Sequence, residues 1–207
     1  MPLQQQILQA NLSSAVGGDA AGLSLAPAER VVFANKDNLS RLSVGPQIIG
    51  VHRARPYIGF EEDMLPRIND GIPMSLEELQ IKPSFSSVAV RYINKIDIAA
   101  TEFDLTDYFN YVDTTQALPR GFDGTVTGFF YRTAAQQRSN PLSLTLSFGS
   151  VVAPKDSAAF VLDIDLTYSF EEPVSMTEAI AKTVEVKDTE NSIFESLITD
   201  RTRGLFE

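Results

Sequence analysis

The 207-residue sequence has no cysteine, no tryptophan and a single histidine, His52. Without cysteine there is no disulfide framework, no thiolate nucleophile and no Cys-ligated metal site. One imidazole excludes a multi-histidine metal centre and makes most acid–base relays hard to build. Beside a strand end and alone of its kind, His52 reads as a structural or surface residue. Positive charge is scarce as well: 17 Lys and Arg against 27 Asp and Glu leave a net charge of −10. Nucleic acid binding normally needs a basic stripe, and here the cations are scattered, with Arg201-Thr202-Arg203 a small cluster. Nucleic acid is therefore disfavoured, while a basic protein partner is electrostatically easier, although acidity is also ordinary solubility design. Apolar runs are short and broken by polar residues, so no segment reads as a membrane span. The opening MPLQQQILQANLSS lacks the basic start and apolar stretch of a secretory signal; the expectation is a soluble, cytoplasmic protein.

What is present suffices for a core. The chain is 43% hydrophobic and carries 13 Phe, which argues against wholesale disorder. Residues 1–28 are small and polar, with GGDAAG at 17–22 a flexible segment and a short helix over Gln4–Leu12. Strands follow at Arg30–Ala34, Arg41–Val44 and Gln47–Arg53, the first two flanking a Lys36-Asp37-Asn38 turn. Phe60, Met64, Leu65, Ile68 and Ile72 recur at helical spacing, so Tyr57–Ile72 reads as a helix, with Pro66 demanding a kink or a later start. Ser75–Leu79 forms a brief helical turn. Ser87–Ile98, Leu142–Val152 and Phe160–Phe170 alternate with a period of two, the mark of an antiparallel sheet wetted on one side. Thr125–Thr133 is a further strand, bulky on both faces. Thr177–Ile198 reads as a long helix capped by Ser175 or Thr177. The predicted fold is α+β: one curved, mainly antiparallel sheet of six or seven strands, with both helices on one face, in a single domain over 29–207.

Three stretches carry a resemblance: VGPQIIGVHRARPYIGFEEDMLPRI at 44–68, VAVRYINKIDI at 88–98, and LDIDLTYSF at 162–170 followed by IFESLITDRTRGLFE at 193–207. Together they resemble a sporadically distributed prokaryotic family of uncharacterised proteins, marked by an Arg-Tyr-Ile-Asn-Lys/Arg-Ile strand and a Phe-Glu-x-x-Ile-Thr ending, over roughly residues 30–207. On that resemblance Tyr57, Phe60, Tyr92, Asn94 and Phe194 are structural hallmarks. Phe60 stands where the family carries Trp, a change a packing role tolerates. The chain lacks the family's additional N-terminal strand and helix, so a shortened member or a mis-assigned Met1 is expected, with an exposed sheet edge as the consequence. The resemblance implies a fold and no activity.

Chemistry is thinly signalled. Asp163 and Asp165, at i and i+2, share a sheet face about 7 Å apart. Such a pair is able to hold Mg²⁺ or do acid–base work; equally, it is the wet face of a strand, paired with Arg91 or Lys95. Arg91, Lys95, Asp163 and Asp165 would line a polar groove if their strands are neighbours. Asn94, on the apolar side with Tyr92, calls for local hydrogen bonding. GFDG at 121–124 lacks phosphate-loop spacing, and no nucleophile elbow or kinase constellation is present. Phe129, Phe130 and Tyr131 read as core.

The function expected is non-enzymatic, without cofactor or metal: an interaction or scaffold protein, self-associating as a dimer and acting with a protein partner in a defence or toxin–antitoxin module. A small-molecule or peptide-binding domain, with a pocket between sheet and long helix near Arg91, Asp163 and Asp165, is the alternative. A metal-dependent hydrolase using the two aspartates is the third.

Overall fold

The computed structural model describes residues 3–10, 27–37, 39–45, 47–78, 80, 82–100, 102–111, 121–124 and 126–206. It is an α+β protein with two antiparallel four-stranded sheets. The chain divides into two compact units, residues 1–83 and 84–207. The strands expected in one sheet thus fall into two, because the helical stretch after residue 59 and Pro83 interrupt strand pairing.

The first sheet has the order β1 (Leu3–Ala10), β2 (Pro27–Ala34), β3 (Ser40–Gly45), β4 (Ile48–Arg53). The helix expected over Gln4–Leu12 is corrected within the described residues: Leu3 to Ala10 pair antiparallel with Ala34 to Pro27. Cross-strand hydrogen bonding there overrides a weak local helix preference. Gly17–Gly22 and Asn38 lie outside the described residues. In the β2–β3 turn, Asp37 Oδ1 accepts from the Leu39 amide at 3.0 Å and Asn35 Oδ1 from the Ser40 amide at 2.9 Å, the local side-chain bonding that makes these residues turn formers. Helical structure begins at Phe60, not Tyr57, as two wide π-type turns, Phe60–Met64 and Arg67–Gly71, leading into α1 (Ile72–Glu78). Pro66 sits between the wide turns, where its missing donor breaks the regular ladder. Buried Asp63 ties this segment to β4, accepting from Arg53 Nε at 2.7 Å and Arg67 Nε at 2.9 Å. Its carboxyl is held below the usual range by the Arg53 hydrogen bond first, against the opposing effect of burial.

The second unit holds β5 (Phe85–Ile98), β6 (Phe130–Gln136), β7 (Leu142–Val151) and β8 (Ala158–Val174), in the order β5-β8-β7-β6. Alternation decides the faces. Phe160, Leu162, Ile164 and Leu166 of β8 are buried with Ile96 and Ile98 of β5 and Leu146 and Phe148 of β7. Over this face lies α2 (Met176–Leu197), with Val186 and Leu197 in the core. Ser175 caps α2 in a reciprocal box with Glu178, satisfying two otherwise orphaned amides. The helix runs unbroken through Lys187-Asp188. A short α3 (Asp200–Arg203) follows, its Thr202 hydroxyl donating to the Tyr108 carbonyl at 2.5 Å. Strand β6 starts at Phe130, five residues beyond the expected Thr125. Phe129, before it, exchanges backbone and side-chain bonds with Ser150 and turns its ring into the core, 5.3 Å from Phe148. The bulk read on both faces of that strand belongs partly to this anchor.

Glu190 breaks the apolar stripe of α2. It is 3% exposed and its Oε1 has no hydrogen-bond partner among the described residues. Burial pushes its carboxyl from the ordinary 4.5 to about 7, opposed by Lys187. An acid whose pKa is raised on folding favours the fold in its protonated form, so this contribution is present below about pH 4.5 and is lost as pH rises through 7. Glu190→Gln should therefore raise stability at pH 8 by on the order of 2 kcal/mol and leave it nearly unchanged at pH 4.5. Urea unfolding at the two pH values checks this; an equal effect at both would show that ionisation is not the cause.

Candidate functional site

The outer face of the second sheet, opposite α2, carries the charged residues. In register, Arg91 of β5 faces Asp165 of β8, which faces Thr145 of β7, which faces Ala134 of β6. The adjacent row on the same face runs Ile93, Asp163, Ser147, Arg132. Arg91 does not bond the aspartate opposite it. It reaches diagonally to Asp163 in a two-bond pair, Nε to Oδ1 at 2.8 Å and Nη2 to Oδ2 at 2.7 Å. This planar fork is the stronger geometry for a guanidinium and a carboxylate, and it leaves Asp165 with no hydrogen bond among the described residues.

These side chains line a groove of about 470 Å³, together with Arg132, Thr145 and Ser147 and an apolar side that includes Phe130, Val151 and Val161. Burial pushes the Asp165 carboxyl up; Arg91 pulls it back, Asp163 raises it further and Arg132 lowers it. Arg132 is exposed and makes no ion pair among the described residues. Phe130 is 70% exposed at the groove edge.

The strands of Arg91, Asp163 and Asp165 are neighbours, so the predicted groove exists, but it lies on the sheet face away from the long helix, and not between them. The same alternation that sends Leu162 and Ile164 to α2 sends the aspartates the other way. Lys95 does not join them: its ammonium bonds Asp97 of its own strand at 2.6 Å and stands opposite Val161. Tyr92 and Asn94 are half-buried on the inner face, as expected. Phe60 is buried at the first helical turn, Tyr57 is half-buried, and Phe194 packs on the core with its ring 6.0 Å from Phe206. His52 is exposed on β4, opposite Arg41. Arg132, Thr145 and Ser147 were not singled out in the sequence. Their signal was the polar half of each strand's alternation, which is read only once β7 is known to lie between β6 and β8. Phe130, read as core, points outward instead.

The donor set is poor in metal chemistry. Among the described residues no group of three or more His, Asp or Glu side chains is placed to hold a metal ion, and both Asp163 oxygens are engaged by Arg91. No helix of the described residues is long and apolar enough to cross a membrane. Comparison of the chain with family models, curated proteins and solved structures finds no match.

The two aspartates should behave differently on neutralisation. Asp163→Asn removes a charge-assisted pair whose arginine is half exposed, so it should cost less than about 1 kcal/mol. Asp165→Asn removes a half-buried charge with no bond, so stability at pH 7 should hold or rise. Chemical denaturation of both variants tests the contrast, and a larger loss for Asp165→Asn would contradict the assignment of the pair.

Proposed function

We propose that the protein is a non-enzymatic binding protein whose ligand, a small molecule or short peptide, lies in the groove on the outer face of β5-β8-β7-β6. The observation that carries this is a pair of unused charges: Arg132 and half-buried Asp165 stand in one groove with no bonded partner among the described residues, beside the saturated Arg91–Asp163 pair. A concave surface with an apolar side and a few converging polar groups is the general form of a ligand site. Turnover has less support, since the two-aspartate arrangement a hydrolase would use has one member committed to Arg91.

A second reading is an interaction protein that self-associates and engages a protein partner, as in a defence or toxin–antitoxin module. It draws on the proposed family resemblance, the net charge of −10 and the exposed Ile93 and Phe130 on β5 and β6, which form the two outer edges of their sheet. Native mass analysis separates these readings: a stable dimer or a co-purified protein favours the second, a monomer with a small adduct the first.

For the groove itself, a thermal-shift screen of metabolites and short peptides should find compounds that raise the unfolding midpoint of the wild type and lose that effect in Arg132→Ala. Compounds whose effect is equal in both proteins bind elsewhere, and a screen yielding only those would refute the groove.

A further inference from the structure

The unused charges of the groove have opposite signs, and its ionised side chains cancel: Arg91 and Arg132 stand against Asp163 and Asp165. A phosphate or a lone cation gains little there, since what one charge attracts its neighbour repels. Burial pushes the Asp165 carboxyl up, and Arg132 is among the charges that draw it back, so the two act on one space without bonding each other. Ionised Asp165 only accepts hydrogen bonds and Arg132 only donates them. A hydroxyl does both. Two hydroxyls on neighbouring carbons therefore offer a donor to the carboxylate and an acceptor to the guanidinium within one small neutral group.

The rest of the groove has the same character on one side and an apolar character on the other. Thr145 and Ser147 stand on β7 between β8 and β6, half-buried in the groove. Their hydroxyls make no side-chain hydrogen bond among the described residues, and each is both donor and acceptor. One row further along this face β7 carries Gly149, opposite Phe130. A Cβ at Gly149 would stand 2.9 Å from a ring carbon of Phe130, so the glycine is what allows the ring to lie over β7. That ring is 70% exposed. A ligand matched to this surface has a polar rim and an apolar face. A sugar ring is built that way, with hydroxyls around its edge and C–H bonds on its faces that make dispersion contact with an aromatic ring. A free amino acid would meet Asp165 and Arg132 with its two charges but leave the Thr145 and Ser147 hydroxyls to water.

We propose that the groove binds a neutral saccharide, one face of a sugar ring on Phe130 and neighbouring hydroxyls shared between Asp165 and Arg132. The assignment rests on the groove being a ligand site, as proposed above, and adds the chemical class of the ligand. The Arg91–Asp163 pair, with both Asp163 oxygens engaged, belongs to the floor and does not compete for the sugar. For a single ring in a groove open to solvent, the dissociation constant should be on the order of 1 mM.

The test is to follow the backbone amide resonances of the isotope-labelled full chain while glucose, galactose, mannose, N-acetylglucosamine and their disaccharides are each added to about 50 mM. At least one should move the amides of β6, β7 and β8 that border the groove. Asp165→Ala and Arg132→Ala should each weaken that binding at least about tenfold, and Phe130→Ala by about three- to tenfold. The unfolding midpoint of each variant should stay within about 3 °C of wild type, since none of the three side chains makes a bond that holds the sheet. Three results overturn the proposal: no shift at the groove from any of these sugars, a shift that survives both Asp165→Ala and Arg132→Ala, or tighter binding of leucine or phosphate in the same groove. A compound of another class whose stabilisation is lost in Arg132→Ala would then leave the groove standing as a ligand site and remove only the saccharide.

Discussion

The pairing of β5 with β8 governs the second unit. Residues Val88 to Ile98 meet Tyr168 to Ala158 in an unbroken antiparallel register, although the two strands are separated in sequence by two further strands and their loops. Closing so long a segment is entropically costly and is repaid only when the apolar face is covered. Covering comes from α2, which follows β8 directly and returns over the inner face. Register and face are then one constraint. A slip of one residue would carry Asp163 and Asp165 inward and Leu162, Ile164 and Leu166 into water; each of those three apolar residues is at most 1% exposed. The outer face is what the register leaves over, and its chemistry follows from that.

Within this face, Arg91 chooses between two aspartates. Directly opposite Asp165 in the ladder, it bonds Asp163 instead, with both nitrogens of the fork in use. A pair of carboxylates at i and i+2 cannot both be served by one guanidinium in this geometry, so one aspartate is bonded and the other is left without a hydrogen bond among the described residues. The division of roles comes from side-chain geometry, not from the sequence spacing, which is symmetrical.

How much of this was legible follows from the same physics. The period-two patterns of β5, β7 and β8 were plain because one face is apolar and the other polar; β8 extends to Val174 and β5 starts at Phe85, both beyond the readable alternation. The capped α2 was legible from Ser175 and its apolar spacing. The π-type turns around Pro66 and the strand at Leu3–Ala10 were not, since the first reflects a missing donor rather than a pattern and the second depends on pairing with β2. Arg91, Asp163 and Asp165 line one groove. Lys95 bonds Asp97 outside that groove while Arg132 lines it, for one reason: strand order decides which residues share a groove, and alternation within a strand carries no information about its neighbours.

Lys95 still has a place in the design. It lies on β5, at one outer edge of its sheet, where exposed backbone invites pairing with another chain. The neighbouring Asp97 and Arg91 make that edge charged along much of its outward face, and the Lys95–Asp97 pair, half exposed on both sides, keeps the charges close to the strand. At the other edge β6 presents Phe130, Arg132, Ala134 and Gln136 outward, a single charge among four residues. The more charged edge is β5 and the less charged one β6, and both border the groove, through Arg91 on one and through Phe130 and Arg132 on the other. The asymmetry lies in the two edges of one sheet, and it follows from which residues each strand's alternation turns outward.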